Sequence, residues 1–231
     1  MKTAGMIGGI GPESTEVYYR EIVSRFRAAV GDSSYPKLII NSINFKQVVA
    51  LVTAENWTKL ATHLLAEVDT LAKAGADFGF LAANTPHIVF DYLQAQSSIP
   101  LISIVESACA AAKNLHLKKL GLFGTRFTMR GVFYPKVFSG AGITLVTPDG
   151  DDLNFVHDKY MGELVEGIVL PETRDELLRI AQRLKDQAGI DGLILGGTEL
   201  SLILSEDTAC GIAMLDTTKI HVDAVVRELL R

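Results

Sequence analysis

The chain lacks three features that mark special classes of protein: abundant cysteine, long apolar runs and clustered basic residues. Its 231 residues include only 2 cysteines, with no Cys-x-x-Cys or Cys/His spacing, which excludes a disulfide framework and argues against a zinc site. No apolar stretch has the roughly 18 residues of a membrane span, and no apolar leader follows Met1. We therefore expect a cytoplasmic protein. With 27 acidic and 22 basic residues, the net charge of −5 argues against nucleic-acid binding, which usually needs a basic stripe.

The chain does contain short apolar runs, rich in β-formers, that alternate with amphipathic helical segments. This alternation is typical of an α/β protein in which helices join parallel strands. The predicted strands are Thr3–Gly8, Leu38–Ile43, Phe78–Ala82, Leu101–Ile104, Lys119–Phe123, Ile143–Val146, Gly192–Leu195 and Ile212–Leu215. The clearest predicted helices are Glu13–Phe26, Trp57–Ala74, Ser107–Leu115, Glu172–Ala188 and Thr217–Leu230.

Three pairs of matching positions lie at nearly the same separation along the chain. They are Gly5–Gly8 with Gly121–Gly124 at 116 residues, Tyr19 with Tyr134 at 115, and Ala83 with Gly197 at 114. The offsets predict two pseudo-duplicated lobes, each a parallel sheet flanked by helices, with a ligand cleft between the lobes. We expect the first lobe to comprise residues 1–98 plus 206–231, and the second 99–205.

Two strand-to-helix turns carry residue types suited to anion binding. Gly8–Thr15 is glycine-rich and opens a helix, so its backbone N–H groups could hold an anion; alternatively, its glycines only serve a tight turn. Gly124–Met129 is the matching turn, in which Thr128 is predicted to be a helix N-cap and Arg126 could be only a surface charge. The candidate ligand contacts in these turns are Gly9, Ile10, Thr125, Arg126 and Thr128.

Four motifs, in this order and over the whole chain, together resemble the aspartate/glutamate racemase superfamily. They are Gly8-Gly9-x-x-x-Glu13-Ser14-Thr15, Asn84-Thr85-x-His87, Gly124-Thr125-Arg126-x-Thr128-Met129 and Gly196-x-Thr198-Glu199. The resemblance implies a two-lobed isomerase, often a homodimer, that inverts an α-carbon without pyridoxal phosphate, metal or other cofactor. It also implies a small carboxylate or amino-acid ligand, with an acidic amino acid as the expected substrate.

The chain departs from the family at the two positions that carry the chemistry. Members usually have Cys, or Thr in one subgroup, before Asn84-Thr85, and Cys before Thr198-Glu199; here these positions are Ala83 and Gly197. Neither side chain can move a proton, so the thiol mechanism cannot run. Other residues can act as acid and base, the reaction can be a decarboxylation or another lyase step, or the chain can bind a carboxylate without turnover. The glycine at 197 could also serve a backbone angle.

The first explanation, a racemase-family isomerase with non-thiol groups, is the predicted function. Glu199 and His87 are the candidate acid/base residues. The alternatives are that Glu199 accepts hydrogen bonds from the loop and that His87 is a satisfied structural histidine. The polar residues expected to hold the substrate carboxylate, or to lie at a neighbouring strand end, are Asn84, Thr85, Thr198 and Asn44.

Overall fold

The computed structural model describes residues 1–31 and 33–231, which form an α/β fold with two compact units. Unit 1 comprises residues 1–104 and 221–231, and unit 2 comprises residues 105–220. Each unit is built on one sheet whose strands are parallel, apart from one antiparallel edge strand in unit 2, so the predicted fold class is confirmed. Within the described part of the chain, no helix is both long enough and apolar enough to cross a membrane.

Unit 1 has a four-stranded parallel sheet in the order β2-β1-β3-β4. Its strands are β1 (Thr3–Gly8), β2 (Lys37–Ser42), β3 (Phe78–Leu81) and β4 (Leu101–Ile102). Its helices are α1 (Pro12–Val30), α2 (Phe45–Thr53), α3 (Trp57–Lys73) and α4 (Phe90–Gln96), with a 3-10 helix at Thr85–Val89. In the register of this sheet, Ile7 of β1 lies opposite Leu81 of β3.

Unit 2 has a five-stranded sheet in the order β6-β5-β7-β9-β8, in which only β8 is antiparallel to its neighbour. Its strands are β5 (Lys119–Gly124), β6 (Thr144–Val146), β7 (Gly192–Gly196), β8 (Thr208–Ala209) and β9 (Ile212–Asp216). The remaining helices are α5 (Ile104–Asn114), α6 (Arg126–Arg130), α7 (Phe133–Gly140), α8 (Gly150–Gly162), α9 (Pro171–Ala188), α10 (Leu200–Ile203) and α11 (Thr217–Leu229), with a 3-10 helix at Leu164–Glu166.

The internal repeat is visible in the strand order of the two sheets. The order β2-β1-β3-β4 corresponds to β6-β5-β7-β9, and β8 is an addition at the edge. Ile7 faces Leu81 in the first sheet, as Phe123 faces Leu195 in the second. Two residues beyond Leu81 and Leu195 come positions 83 and 197, so the two departures from the racemase pattern occupy matching places in the repeat.

Burial favours Tyr18, and not Tyr19 as the sequence suggested, as the counterpart of Tyr134 in the repeat. Tyr18 is fully buried, as is Tyr134, whereas the side chain of Tyr19 is 50% exposed. Helical periodicity explains the difference, because neighbouring residues of α1 point in different directions and only Tyr18 faces the core. The separation of Tyr18 and Tyr134 is then 116 residues, the same as that between β1 and β5.

The chain passes between the units at places other than those expected from the sequence. Residues 206–220 belong to unit 2, although the sequence analysis assigned them to the first lobe. The reason is that β9 pairs with β7, Leu193 lying opposite Met214, which keeps this segment in the second sheet. The first crossing follows Ile104 instead of residue 98, and the second precedes His221.

Tyr18→Phe is expected to destabilise the protein by about 1–3 kcal/mol, whereas Tyr19→Phe changes stability by less than about 0.5 kcal/mol. The buried hydroxyl of Tyr18 donates a hydrogen bond to Nδ1 of His221 at 2.9 Å, and its loss leaves a buried nitrogen without a donor. Urea unfolding of both variants measures the difference. Equal stabilities would contradict the assignment of Tyr18 to the core.

Candidate functional site

The loop after β3 places Ala83 and Asn84 at the carboxyl edge of the first sheet, the edge where ligands bind in such folds. Both residues are buried, and Thr85, which begins the following 3-10 helix, is half-buried. The hydroxyl of Ser14 lies 3.2 Å from the carbonyl oxygen of Ala82 and ties α1 to this loop. The predicted carboxylate-binding residues of this motif therefore lie together on a loop with defined hydrogen bonds.

His87 is held by both of its ring nitrogens. Its Nδ1 lies 3.0 Å from the carbonyl oxygen of Ala83, and its Nε2 lies 3.2 Å from the backbone nitrogen of Ile104. A carbonyl only accepts and an N–H only donates, so the ring is neutral with its proton on Nδ1. Burial, reinforced by His221, lowers the pKa of His87 to about 3. This geometry favours the structural interpretation of His87 over an acid/base role.

His221 belongs to the same buried cluster and has the opposite tautomer. Its Nε2 lies 3.1 Å from the carbonyl oxygen of Ile102 and therefore donates, while its Nδ1 accepts from Tyr18. The ring centroids of His87 and His221 are 6.4 Å apart, and burial lowers the pKa of His221 to about 4. These bonds give His221 a structural role: its ring links α1 to β4, as the ring of His87 links the Ala83 carbonyl to the start of α5.

The glycine-rich turn after β1 has structural reasons for its glycines. Gly9 has φ +75, and a Cβ at this position would lie 2.8 Å from the backbone nitrogen of Ile43 and closer still to its carbonyl oxygen. The N–H of Gly9 donates to the hydroxyl of Thr15 at 2.8 Å, so this group serves the turn. Ile10, the next candidate contact, is buried.

In unit 2, the space beside Gly197 is filled by the ring of Tyr160. A Cβ built at Gly197 would lie 2.8 Å from Cζ and 3.0 Å from Oη of Tyr160, and closer still to Cε2. These separations are shorter than van der Waals contact, so the ring occupies the volume that a side chain at position 197 would need. The backbone angle is not the reason for this glycine, because φ of Gly197 lies outside the left-handed range.

Glu199 is buried and accepts hydrogen bonds from two side-chain hydroxyls. The hydroxyl of Tyr160 donates to Oε2 of Glu199, and the hydroxyl of Thr198 donates to the same oxygen at 2.7 Å. Burial raises the pKa of Tyr160 well above its usual value, and the charge of Glu199 and the hydrogen bond raise it further. Tyr160 is therefore a protonated donor, and its acceptor Glu199 lies two residues from Gly197.

The turn after β5 is organised by Thr125 and not by Thr128. The hydroxyl of Thr125 accepts from the backbone N–H of Thr128 at 3.2 Å, which makes Thr125 the N-cap of α6. The prediction of Thr128 as the N-cap is wrong: it lies inside the helix, fully buried, where it packs beside Gly124. Arg126 donates from Nη2 to Asn154 at 3.2 Å at the protein surface.

The remaining candidates lie apart from these loops or have structural partners. Asn44 is exposed, and its side chain caps α2 by accepting from the N–H of Lys46 at 3.0 Å. Cys109 lies on α5 and Cys210 in the turn between β8 and β9, and burial raises the pKa of the Cys109 thiol. In residues 1–31 and 33–231, no three His, Cys, Asp or Glu side chains come together as a metal site would require.

Sequence reasoning missed Tyr160, because it lies 37 residues before Gly197 and in no recognised motif. A partial signal exists: Leu153, Val156 and Tyr160 follow one another at helical spacing and form the buried face of α8. This spacing predicts that Tyr160 points inward. It does not predict which loop the ring meets, because that depends on the packing of α8 on the second sheet.

Comparison with known proteins places these motifs in context. The family model for Asp/Glu/hydantoin racemases matches residues 7–225 of the chain. The broad specificity amino-acid racemase RacX of Bacillus subtilis is 24% identical over 205 residues, covering 87% of this chain and 86% of RacX. The crystal structure of a candidate Asp/Glu racemase from Yersinia pestis is 34% identical, covers 100% of both chains and superposes with a TM-score of 0.91. An aspartate racemase homologue from Pyrococcus horikoshii is 31% identical, again over 100% of both chains, with a TM-score of 0.86.

The free energy of unfolding is expected to be highest above pH 6.5 and to fall as the pH drops towards 4. In the unfolded chain, His87 and His221 are protonated below about pH 6.5. In the folded chain they are protonated only near their lowered pKa values of about 3 and 4. Because the unfolded state binds more protons in this window, acid favours it. In His87→Gln, the decline should be shallower by up to about 1.4 kcal/mol per pH unit.

Urea unfolding at a series of pH values measures this slope, with His116→Asn as the control. His116 is exposed and has φ +58, a conformation that Asn tolerates. The control should keep the slope of the wild type. If His87→Gln also kept the wild-type slope, burial of the His87 ring would not control the pH dependence of the free energy of unfolding.

Gly197→Ala is expected to lower stability by about 1–3 kcal/mol, because the added methyl group overlaps the ring of Tyr160. Gly140→Ala is the matched control: an added methyl there meets no described atom within 4 Å. Thermal or urea unfolding of the two variants tests the difference. If Gly197→Ala were as stable as the wild type, the ring would not fill the space that the structure shows.

Proposed function

The chain belongs to the Asp/Glu/hydantoin racemase family, and from this premise we propose that it is a cofactor-independent isomerase of a small amino acid or related carboxylate, with a carboxylate in place of the usual thiol. The family's chemistry is inversion at an α-carbon, which needs one group to take a proton and a source that returns one. With Ala83 and Gly197 at the usual proton-carrying positions, the carrier must be another side chain.

The observation that supports this proposal is the position of Glu199. Glu199 is buried on the loop after β7, and its carboxylate receives two hydroxyl hydrogen bonds through Oε2. A carboxylate held in this way is fixed in position, which an acid/base group needs. The other candidate acid/base residue, His87, has both ring nitrogens engaged, so we assign it the role of positioning the Ala83 loop.

A single carboxylate is sufficient for isomerisation in a simple proton balance. The carboxylate of Glu199 takes up the α-proton, and the electron pair of the broken C–H bond stays on the substrate as a planar enolate. Water then donates a proton to the opposite face of the α-carbon and gives the other isomer. The hydroxide that remains takes the proton from Glu199, which restores the carboxylate.

The carboxylate group of the substrate requires donors, and the motif loops supply them. We propose that Thr125 and Thr198, on the motif loops of unit 2, contribute hydroxyl and backbone donors, and that Asn84 and Thr85 are further carboxylate-binding residues through amide, hydroxyl and backbone groups. Charge-assisted hydrogen bonds of this kind are about twice as strong as neutral ones.

Like the family it belongs to, the chain is proposed to work as a homodimer in the cytoplasm. Size-exclusion chromatography can check the oligomeric state, and cell fractionation can check the location.

The wild-type protein is expected to incorporate deuterium at Cα of one or more amino acids in deuterium oxide, without added cofactor. A panel of L- and D-amino acids that includes aspartate and glutamate, followed by proton NMR, measures the exchange rate. Glu199→Gln should lower this rate by a factor of about 10² or more, because the amide has no basic oxygen to accept the proton.

Cys109→Ser and Cys210→Ser are the matched controls, since these cysteines are the two thiols of the chain. Both variants should retain wild-type exchange. Exchange that disappeared with either thiol and survived in Glu199→Gln would overturn the assignment of the carboxylate. A wild type that exchanged no amino acid in the panel but gained thermal stability with one would identify a binding protein instead.

A further inference from the structure

We infer that Tyr160 is a catalytic residue: its hydroxyl takes the place of the missing side chain at position 197 and relays the α-proton to Glu199. The inference rests on the proposed function and extends it by one residue. In this arrangement, the lack of a side chain at Gly197 leaves the space that the ring of Tyr160 occupies.

The first argument is the volume that the ring occupies. The phenol oxygen lies 3.0 Å from the point where a Cβ at position 197 would be. A cysteine at that position would carry its sulfur about 1.8 Å beyond Cβ, so the oxygen lies in the neighbourhood that a thiol would reach. Tyr160, which lies on α8, therefore places a hydroxyl group where Gly197 has no side chain to carry a proton.

The second argument is the direction of the hydrogen bonds around this oxygen. The hydroxyl of Tyr160 donates to Oε2 of Glu199, which fixes the hydroxyl proton on the side of the carboxylate. Since Thr198 also donates to Oε2, the carboxylate oxygen is held in place for the transfer. A buried tyrosine with a purely structural role also needs a hydrogen-bond partner. It does not need that partner to lie two residues from position 197, where family members usually carry the thiol.

The third argument is the rigidity of the support. Tyr160 lies on α8 in the core cluster of unit 2, with Val156 and Leu164 as neighbouring members of that cluster. Tyr160 is buried, so its ring is anchored by the surrounding core. Sites built on packed helices hold their geometry better than sites built on loops alone.

The proposed step balances as a relay of two protons. The Cα–H bond of the substrate breaks and its proton bonds to the phenol oxygen, while the original hydroxyl proton moves to Oε2 of Glu199. The electron pair of the C–H bond remains on the substrate as an enolate, and the negative charge of Glu199 is neutralised. Water then donates a proton to the opposite face of the α-carbon, and the hydroxide that remains takes the proton from Glu199. This restores the carboxylate while the phenol keeps the proton from Cα, and no oxidant, reductant or metal takes part.

Tyr160→Phe tests the relay, because it removes the hydroxyl and keeps the ring. We expect deuterium exchange at Cα to fall by a factor of about 10² or more with little change in KM. The double variant Tyr160→Phe/Glu199→Gln should be no slower than the slower single variant, since the two residues act as one unit. Tyr134→Phe is the matched control: Tyr134 is a second buried tyrosine of unit 2, and its variant should keep wild-type exchange.

The outcomes separate this inference from the proposed function. If Glu199→Gln abolished exchange while Tyr160→Phe retained it, the relay would be overturned and the carboxylate assignment would stand. If the wild type showed no exchange with any amino acid, both would fall. Equal losses in Tyr160→Phe and Tyr134→Phe would assign Tyr160 a structural role only and would also overturn the relay.

A measurement that needs no activity tests the occupancy of the space beside Gly197. Gly197→Ala should destabilise the wild type but should be neutral or stabilising in a Tyr160→Ala background, where the methyl group enters the cavity left by the ring. The Gly197→Ala effect should remain in the Tyr160→Phe background, since the ring is kept. Identical effects of Gly197→Ala in all three backgrounds would overturn the claim that the tyrosine replaces a side chain at position 197.

Discussion

Parallel pairing of β3 with β1, and of β7 with β5, is the constraint on which the rest of the structure depends. Parallel strands bring their carboxyl ends to one edge of a sheet, so the loop after each central strand emerges beside the turn after its neighbour. The same register in both sheets puts residues 83 and 197 at the same point of each repeat. The strand pairing therefore determines where the motif loops of each unit begin.

Ala83 and Gly197 are equivalent in the repeat but not in their surroundings. At Ala83, the buried ring of His87 holds the adjacent backbone through its nitrogens, and its low pKa keeps it neutral. At Gly197, an aromatic ring from α8 fills the adjacent volume and presents a hydroxyl to Glu199. Duplication thus supplies two copies of one backbone geometry, and the residues packed against each copy give it a separate chemical character.

The sequence predicts the strands well because their apolar runs are short and bounded by turns. The β1 range Thr3–Gly8 agrees with the prediction, whereas β9 is predicted with nearly the right bounds but in the wrong unit, since strand pairing is a long-range property. The motif loops are also found from the sequence. Tyr160 is not, because its contact with position 197 depends on how α8 packs, and neither local periodicity nor a motif encodes that contact.

Unit 1 is discontinuous, and this affects the order in which the chain can fold. Its core includes Tyr18, Phe26 and Phe80 from early segments together with Val222 and Leu229 from α11. During synthesis the early strands leave the ribosome first, yet their apolar faces stay uncovered until the last helix arrives. Unit 2 is continuous and can fold in the meantime. Nascent chains stalled before residue 221 should therefore bind chaperones that recognise exposed apolar surface.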